Sequence, residues 1–211
     1  MPASPSPRER LWLAFVNADV HASFDRLLLW MHGAGALDAD RQASVSRRAA
    51  LQPAAATAAL LDARRMHAAL RRLADRGSMD AEVRLVAATE INRVMGRSTG
   101  VRRLETTPSG GWRRTFATVG DAFAGLLLPV AESAAEALIS NEIARVRVCA
   151  NPTCRRAFLD QSRGARRRWC AMATCGNRAK VRALRDRRRP AATGDASRAS
   201  AVATTAVTAV A

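Results

Sequence analysis

The chain has 211 residues, 48% apolar and 25% charged, the balance of a globular protein with room for one or two domains. Its formal charge of +16 and pI near 11.6 favour polyanions such as nucleic acid, or an anionic membrane face. No window approaches the roughly 20 apolar residues of a membrane span, and the run LWLAFV is too short for a secretion signal, so a cytoplasmic protein without a membrane partner is expected.

Residues 1–10, rich in Pro, Ser and Arg, read as a flexible arm. Residues 11–144 read as a mostly helical regulatory or dimerisation domain with one small β-hairpin, an α+β arrangement. SFDRLLLWMHGAG offers Ser23 as N-cap, Phe24, Leu27, Leu28 and Met31 on one face, and glycines as a stop. After Pro53, Leu60, Ala63, Met66, Leu70 and Leu73 recur at helical spacing until Gly77. Ser78 then serves as the expected cap of a further helix, with Asp80 and Glu82 in its first turn and Val83, Ala87, Ile91 and Val94 as its buried stripe.

Between Gly100 and Gly120 the period changes to that of strands, and GVRRLETTPSGGWRRTFATVG reads as a hairpin around Pro-Ser-Gly-Gly. A last helix is expected to open at Asp121, with Phe123, Leu127, Val130, Ala134 and Leu138 inward and Pro129 kinking or splitting it. Residues 190–211, all Ala, Thr, Ser and Val apart from a few others, read as a disordered tail.

The charge is unevenly placed. Residues 1–144 hold 18 basic and 15 acidic side chains, whereas residues 145–189 hold 15 basic and 2 acidic. Lys180 is the one lysine, which points to a genome biased to Arg and Ala codons; a uniform bias would not concentrate the excess in one segment.

All four cysteines fall in that same segment, as Cys149-x4-Cys154 and Cys170-x4-Cys175 with fifteen residues between the pairs. Two local thiol pairs brought together by a short connection suit tetrahedral zinc, and Asn151-Pro152 supplies a turn in the first pair. RRAFLD and RRRW read as strands flanking turn signals at Ser162 and Gly164, giving a small zinc-ribbon-like module over residues 145–189. Chance clustering of free thiols and a pair of disulfides are the alternatives, and a reducing compartment disfavours the second. Four thiolates around one Zn²⁺ leave a formal charge of about −2, which two or three cations balance. The surplus of arginine calls for an outside partner.

CGNRAKVRALRDRRR, from Cys175, reads as a basic helix ending before Pro190. Asn177, Arg178, Lys180, Arg182, Arg185 and Arg189 are the candidate nucleic-acid contacts, since an arginine stripe on a helix can track phosphates or enter a major groove. Val181 and Leu184 are expected to pack back on the zinc module.

WCAMATCGNRAKVRALRDRR resembles the signature of the CGNR zinc-finger family, bacterial stress-induced transcription regulators with an ABATE-type N-terminal domain. RVCANPTCRRAFLDQSRGARRRW is similar to the first half of that finger, and Leu11, Phe15, Val16 and Asn17 match the family's LxxxFVN start. Where the family carries Asp before Phe-Val and Thr after Asn, this chain has Ala14 and Ala18. The resemblance implies Cys149, Cys154, Cys170 and Cys175 as zinc ligands and duplex DNA as the partner of the module.

A DNA-binding transcription regulator, nucleoid-associated and cytoplasmic, is therefore the first reading. An RNA-binding or protein-binding zinc adaptor is the second; RNA recognition usually brings stacking aromatics, and the module offers Phe158 and Trp169 alone. An enzyme fits poorly, because four cysteines close the zinc shell. His21, His32 and His67 lie far from the cysteines in sequence, and Asp25 and Glu90 form no motif. No residue pattern assigns a small-molecule ligand to the N-terminal domain.

Overall fold

The computed structural model describes residues 10–20, 22–76, 79–106, 110–119 and 123–188. Residues 1–9 of the expected arm, the tail and turn-forming Pro108 and Ser109 lie outside them, as do His21, Gly77, Ser78, Asp121 and Arg189.

Among the described residues the chain is mostly helical with two small antiparallel strand pairs, as the periodicity implies. Helix α1 (Leu11–Val16) is only six residues long, yet Leu11, Trp12, Leu13, Phe15 and Val16 are all buried. A segment apolar on almost every side belongs in the centre of a bundle. It packs on α4 (Pro53–Arg76) and α6 (Leu128–Ile139), and α5 (Ala81–Arg97) joins both of these. Helices α2 (Phe24–Gly33) and α3 (Ala39–Leu51) close one side against α4.

Most of the stripes expected of α2, α4 and α5 is buried, namely Leu27, Leu28 and Met31; Ala63, Met66, Leu70 and Leu73; Ala87, Ile91 and Val94, while Phe24, Leu60 and Val83 are only partly buried. Ser23 caps α2, its hydroxyl accepting from the Arg26 amide. The cap of α5 differs from expectation. Asp80 holds that position, its carboxylate accepting from the amides of Glu82 and Val83, so this acid terminates the chain's entry rather than lying within the first turn. Helix α3 escapes periodicity because Val45 is its one buried residue, in a sequence that is otherwise Ala, Arg and polar apart from an exposed Leu51 at its end. Its start is nonetheless specified, by Asp38 accepting from the Arg41 amide.

The expectation that Pro129 lies inside a helix opening at Asp121 is wrong. Residues 123–127 form successive turns and α6 begins at Leu128, which puts Pro129 in the first turn. There its missing N–H costs nothing and its fixed φ assists initiation. Phe123 and Leu127 still reach the core, from the turns.

The hairpin is present as β1 (Gly100–Thr106) paired with β2 (Trp112–Thr118), in register Gly100↔Thr118 to Thr106↔Trp112. Gly100 is required at its base, because a Cβ there would run into the Ala117 carbonyl and the Phe116 ring.

The second strand pair is β3 (Val146–Val148) with β4 (Ala157–Leu159). Here RRAFLD does contain a strand, but its partner is β3 rather than RRRW, which is irregular. Val146 and Ala157 belong to the same buried cluster as α1 and α4. Polar contacts reinforce this junction. The Asn17 amide accepts from the Ala157 N–H and donates to the Ala157 carbonyl, both at 2.8 Å, and donates also to Leu13. Arg71 on α4 donates to the Arg155 carbonyl at 2.8 Å.

Asn17 therefore acts as an extra strand residue against β4. Replacing it with Ala leaves the Ala157 amide and carbonyl without partners, and unfolding in urea should show a loss of about 2–3 kcal/mol with zinc content retained. An unchanged midpoint would mean that water satisfies Ala157 equally well.

Candidate metal centre

The four thiols converge. Cys149 and Cys175 are buried and Cys154 and Cys170 partly so, all are free, and their sulfurs lie within 4.8 Å of one another. Cys154 Sγ is 3.8 Å from Cys170 Sγ, which is 3.8 Å from Cys175 Sγ. A tetrahedron of sulfurs about 2.3 Å from a central zinc has edges of about 3.8 Å. A disulfide would need about 2.05 Å. The spacing is that of one metal ion, and the donor set fits a single structural zinc with no open coordination position.

Local chain geometry explains how each pair is aimed. Asn151 organises the first loop: its side-chain oxygen accepts from the Thr153 amide and hydroxyl, while its carbonyl accepts from the amides of Cys154 and Arg155. Arg155 then takes a left-handed φ of 49°, which turns the chain into β4. The second pair closes through a π-helical turn, Met172–Gly176, that runs straight into α7 (Asn177–Arg188). A side chain at Gly176 would strike Met172 and crowd Trp169, so the glycine permits that close turn. The two halves are stitched by Ala150 donating to the Arg168 carbonyl at 2.8 Å.

The thiols do not share one environment. Burial, together with the neighbouring sulfurs, pushes Cys170 up to about 12. The Asn151 amide, 3.6 Å from Cys175 Sγ, draws Cys175 down to about 7 against the opposing effect of burial. Cys170 therefore keeps its proton until a cation enters, so zinc uptake must release protons and tighten as pH rises. Asn151 is thus more than the turn former that the sequence suggested: it stabilises a thiolate.

Asp160, fully buried, was not singled out in the sequence at all. Burial alone would raise its pKa, but the Ser162 hydroxyl, the amides of Arg167 and Ser162 and the Arg167 charge together lower it to about 2. Its contribution is complete above the unfolded value near 4 and is lost as pH falls from there towards 2. Asp160→Asn should therefore lower Tm at pH 7. In a carboxyl NMR titration Asp160 should stay ionised wherever the module is folded; a midpoint at or above 4 would contradict this.

Several cations of the basic segment are spent internally. Arg145 donates to the carbonyls of Asp160 and Ser162, Arg147 to those of Ala144 and Val146. Arg167 donates to the Cys170 carbonyl and lies over the Phe158 ring, and Arg168 lies over Trp169. Both aromatics of the module are thereby engaged within it.

Helix α7 is different. Almost every side chain from Asn177 to Arg185 is exposed. Val181 and Leu184, 47% and 44% exposed, do not pack back on the module as expected, because an open groove separates α7 from the first cysteine loop. Asn177, Arg178, Arg182 and Arg185 line an open groove of about 910 Å³ whose other wall is Ala150–Thr153 and Trp169. Lys180 is exposed but does not line it, and Arg189 lies outside the described residues. Asn177 also closes the turn by donating to the Ala173 carbonyl.

The residues weighed for catalysis are accounted for otherwise. His32 donates to Leu37 and His67 to Val16, Asp25 lies in the first turn of α2, and Glu90 pairs with Arg93. A cavity of about 100 Å³ lined by Asp62, Arg93, Arg97 and Phe123 is well below the 300 Å³ or more of ordinary ligand pockets. Among the described residues no helix is long and apolar enough to cross a membrane.

Two family models match the chain. Residues 9–141 match ABATE, described as "Putative stress-induced transcription regulator", and residues 145–188 match the CGNR zinc finger. Neither is an enzyme family. No curated protein matches the sequence.

Proposed function

Because the chain belongs to the ABATE family and carries a CGNR zinc finger over residues 145–188, we propose that this zinc-binding regulator acts by gripping duplex DNA with that module. Cys149, Cys154, Cys170 and Cys175 hold one zinc; Asn177, Arg178, Lys180, Arg182 and Arg185, with Arg189 beyond them, supply the contacts to DNA. The observation that carries this reading is a single one. Helix α7 leaves the fourth cysteine directly and stands exposed, and among the described residues no ion pair engages Arg178, Arg182 or Arg185. A helix fixed at one end by metal and exposed along its arginines can enter a DNA groove at little cost in internal contacts. Its work is done in the cytoplasm, on the nucleoid, and involves no catalysis.

The test is fluorescence anisotropy of labelled duplex against zinc-loaded protein over a salt series. Log affinity should fall linearly with log salt, by about 0.9 for each phosphate neutralised. A flat salt response would refute phosphate contact. The adaptor reading has one observation in its favour, the exposure of Val181 and Leu184. Competition with single-stranded RNA separates the two, since an RNA adaptor would release duplex first.

A further inference from the structure

The β1–β2 hairpin is physically incomplete. Two strands alone are at best marginal in water. This pair exposes Leu104 (67%) and Trp112 (68%), and the register puts both on one face, since Leu104 opposes Arg114 and Thr106 opposes Trp112. Its base is secured by Arg102 pairing with Glu132 and by Arg41 donating to the Phe116 carbonyl at 3.1 Å. Among the described residues β1 pairs with no strand other than β2, so its outer edge faces outward from the sheet.

We propose that this edge is a dimer interface, in which β1 of a second copy adds antiparallel to β1 about a two-fold axis at Leu104, making a four-stranded sheet. The sequence GVRRLET is self-complementary in that register. Leu104 meets its own copy, Arg103 meets the second copy's Glu105, and Glu105 meets the second copy's Arg103. Both Trp112 rings lie on the face of the two leucines. An axis through Arg103 would oppose two arginines, and one through Glu105 two glutamates, each destabilising when directly across. The β2 edge offers no such match. Its charged residues are Arg113 and Arg114, both positive, and its Phe116 carbonyl already accepts from Arg41. An isologous pairing of this kind closes on itself and removes an edge that would otherwise template aggregation. It stands independently of DNA binding.

The experiment is sedimentation equilibrium on the zinc-loaded full chain without DNA. Wild type should give twice the 22.7 kDa chain mass. Arg103→Glu and Glu105→Arg should each weaken the dimer at least about tenfold, through two like-charge pairs. Mixed in equal amounts, the two variants should recover the doubled mass, because each supplies the sign the other lacks. The double variant R103E/E105R should dimerise by itself. Leu104→Asp, at an exposed position, should be monomeric with an unchanged far-UV spectrum. A monomeric wild type overturns the proposal, and so does a dimer indifferent to Leu104→Asp. Folded single variants that stay monomeric on mixing do so as well.

Discussion

Removing zinc under reducing conditions is expected to unfold residues 149–188 and to abolish DNA binding. The buried cluster of the module is Cys149, Phe158 and Cys175, with Cys154, Trp169 and Cys170 packed around it; four of these six are the thiols themselves. A core of that size cannot order the segment unaided, whereas structural zinc contributes about 10–16 kcal/mol, as much as the whole stability of many domains. Helix α7, twelve residues long and strongly basic, is too short to persist alone. Hydrogen exchange should lose its protection in β4 and in the 172–182 turn when a chelator is added. Because Val146, Ala157 and Asn17 join the module to the bundle, the N-terminal helices should also melt at lower temperature. Cys175→Ser should behave like the chelated protein. Protection that survives chelation would contradict a metal-built module.

The triple variant Arg178→Ala, Arg182→Ala, Arg185→Ala is expected to keep its zinc and lose its grip. These side chains line the groove and are exposed, and they make none of the contacts that shape the cluster. If each neutralises one phosphate, the salt slope should flatten by about 2.7, and affinity near physiological salt should drop about a hundredfold. Arg145 and Arg167 make the control. Their side chains donate to Asp160, Ser162 and Cys170 carbonyls, so Ala there should cost stability before it costs salt dependence. Equal slopes for the triple variant and wild type would place the DNA elsewhere.

Which features could be read from residue order follows from how local their cause is. The C-x4-C pairs announce themselves, because each ligand pair is set by one turn and the chemistry tolerates few alternatives. The stripes of α4 and α5 are legible for a similar reason: one face of each must be apolar. Helix α3 is not, since its single buried Val45 makes no periodic signal, and its cap at Asp38 is indistinguishable from a loop acid. Pro129 misleads because proline is tolerated in a first turn and costly one turn later, and the sequence does not say where the turn starts. RRRW was misjudged since the strand partner of β4 lies before the first cysteine, at Val146–Val148, a pairing that only the folded junction reveals. The same holds for Asn17 and Asp160. Their value lies in backbone groups 140 and 7 residues away, at Ala157 and Arg167. The charge of α7 is legible locally, but not that Val181 borders an open groove and that Leu184 stays half-exposed.

Zinc K-edge X-ray absorption on the purified, reduced protein addresses the coordination directly. One zinc per chain with four sulfur neighbours at about 2.3 Å is the expected spectrum. A shell containing nitrogen or oxygen, or fewer than four sulfurs, would contradict the closed site on which α7 is mounted.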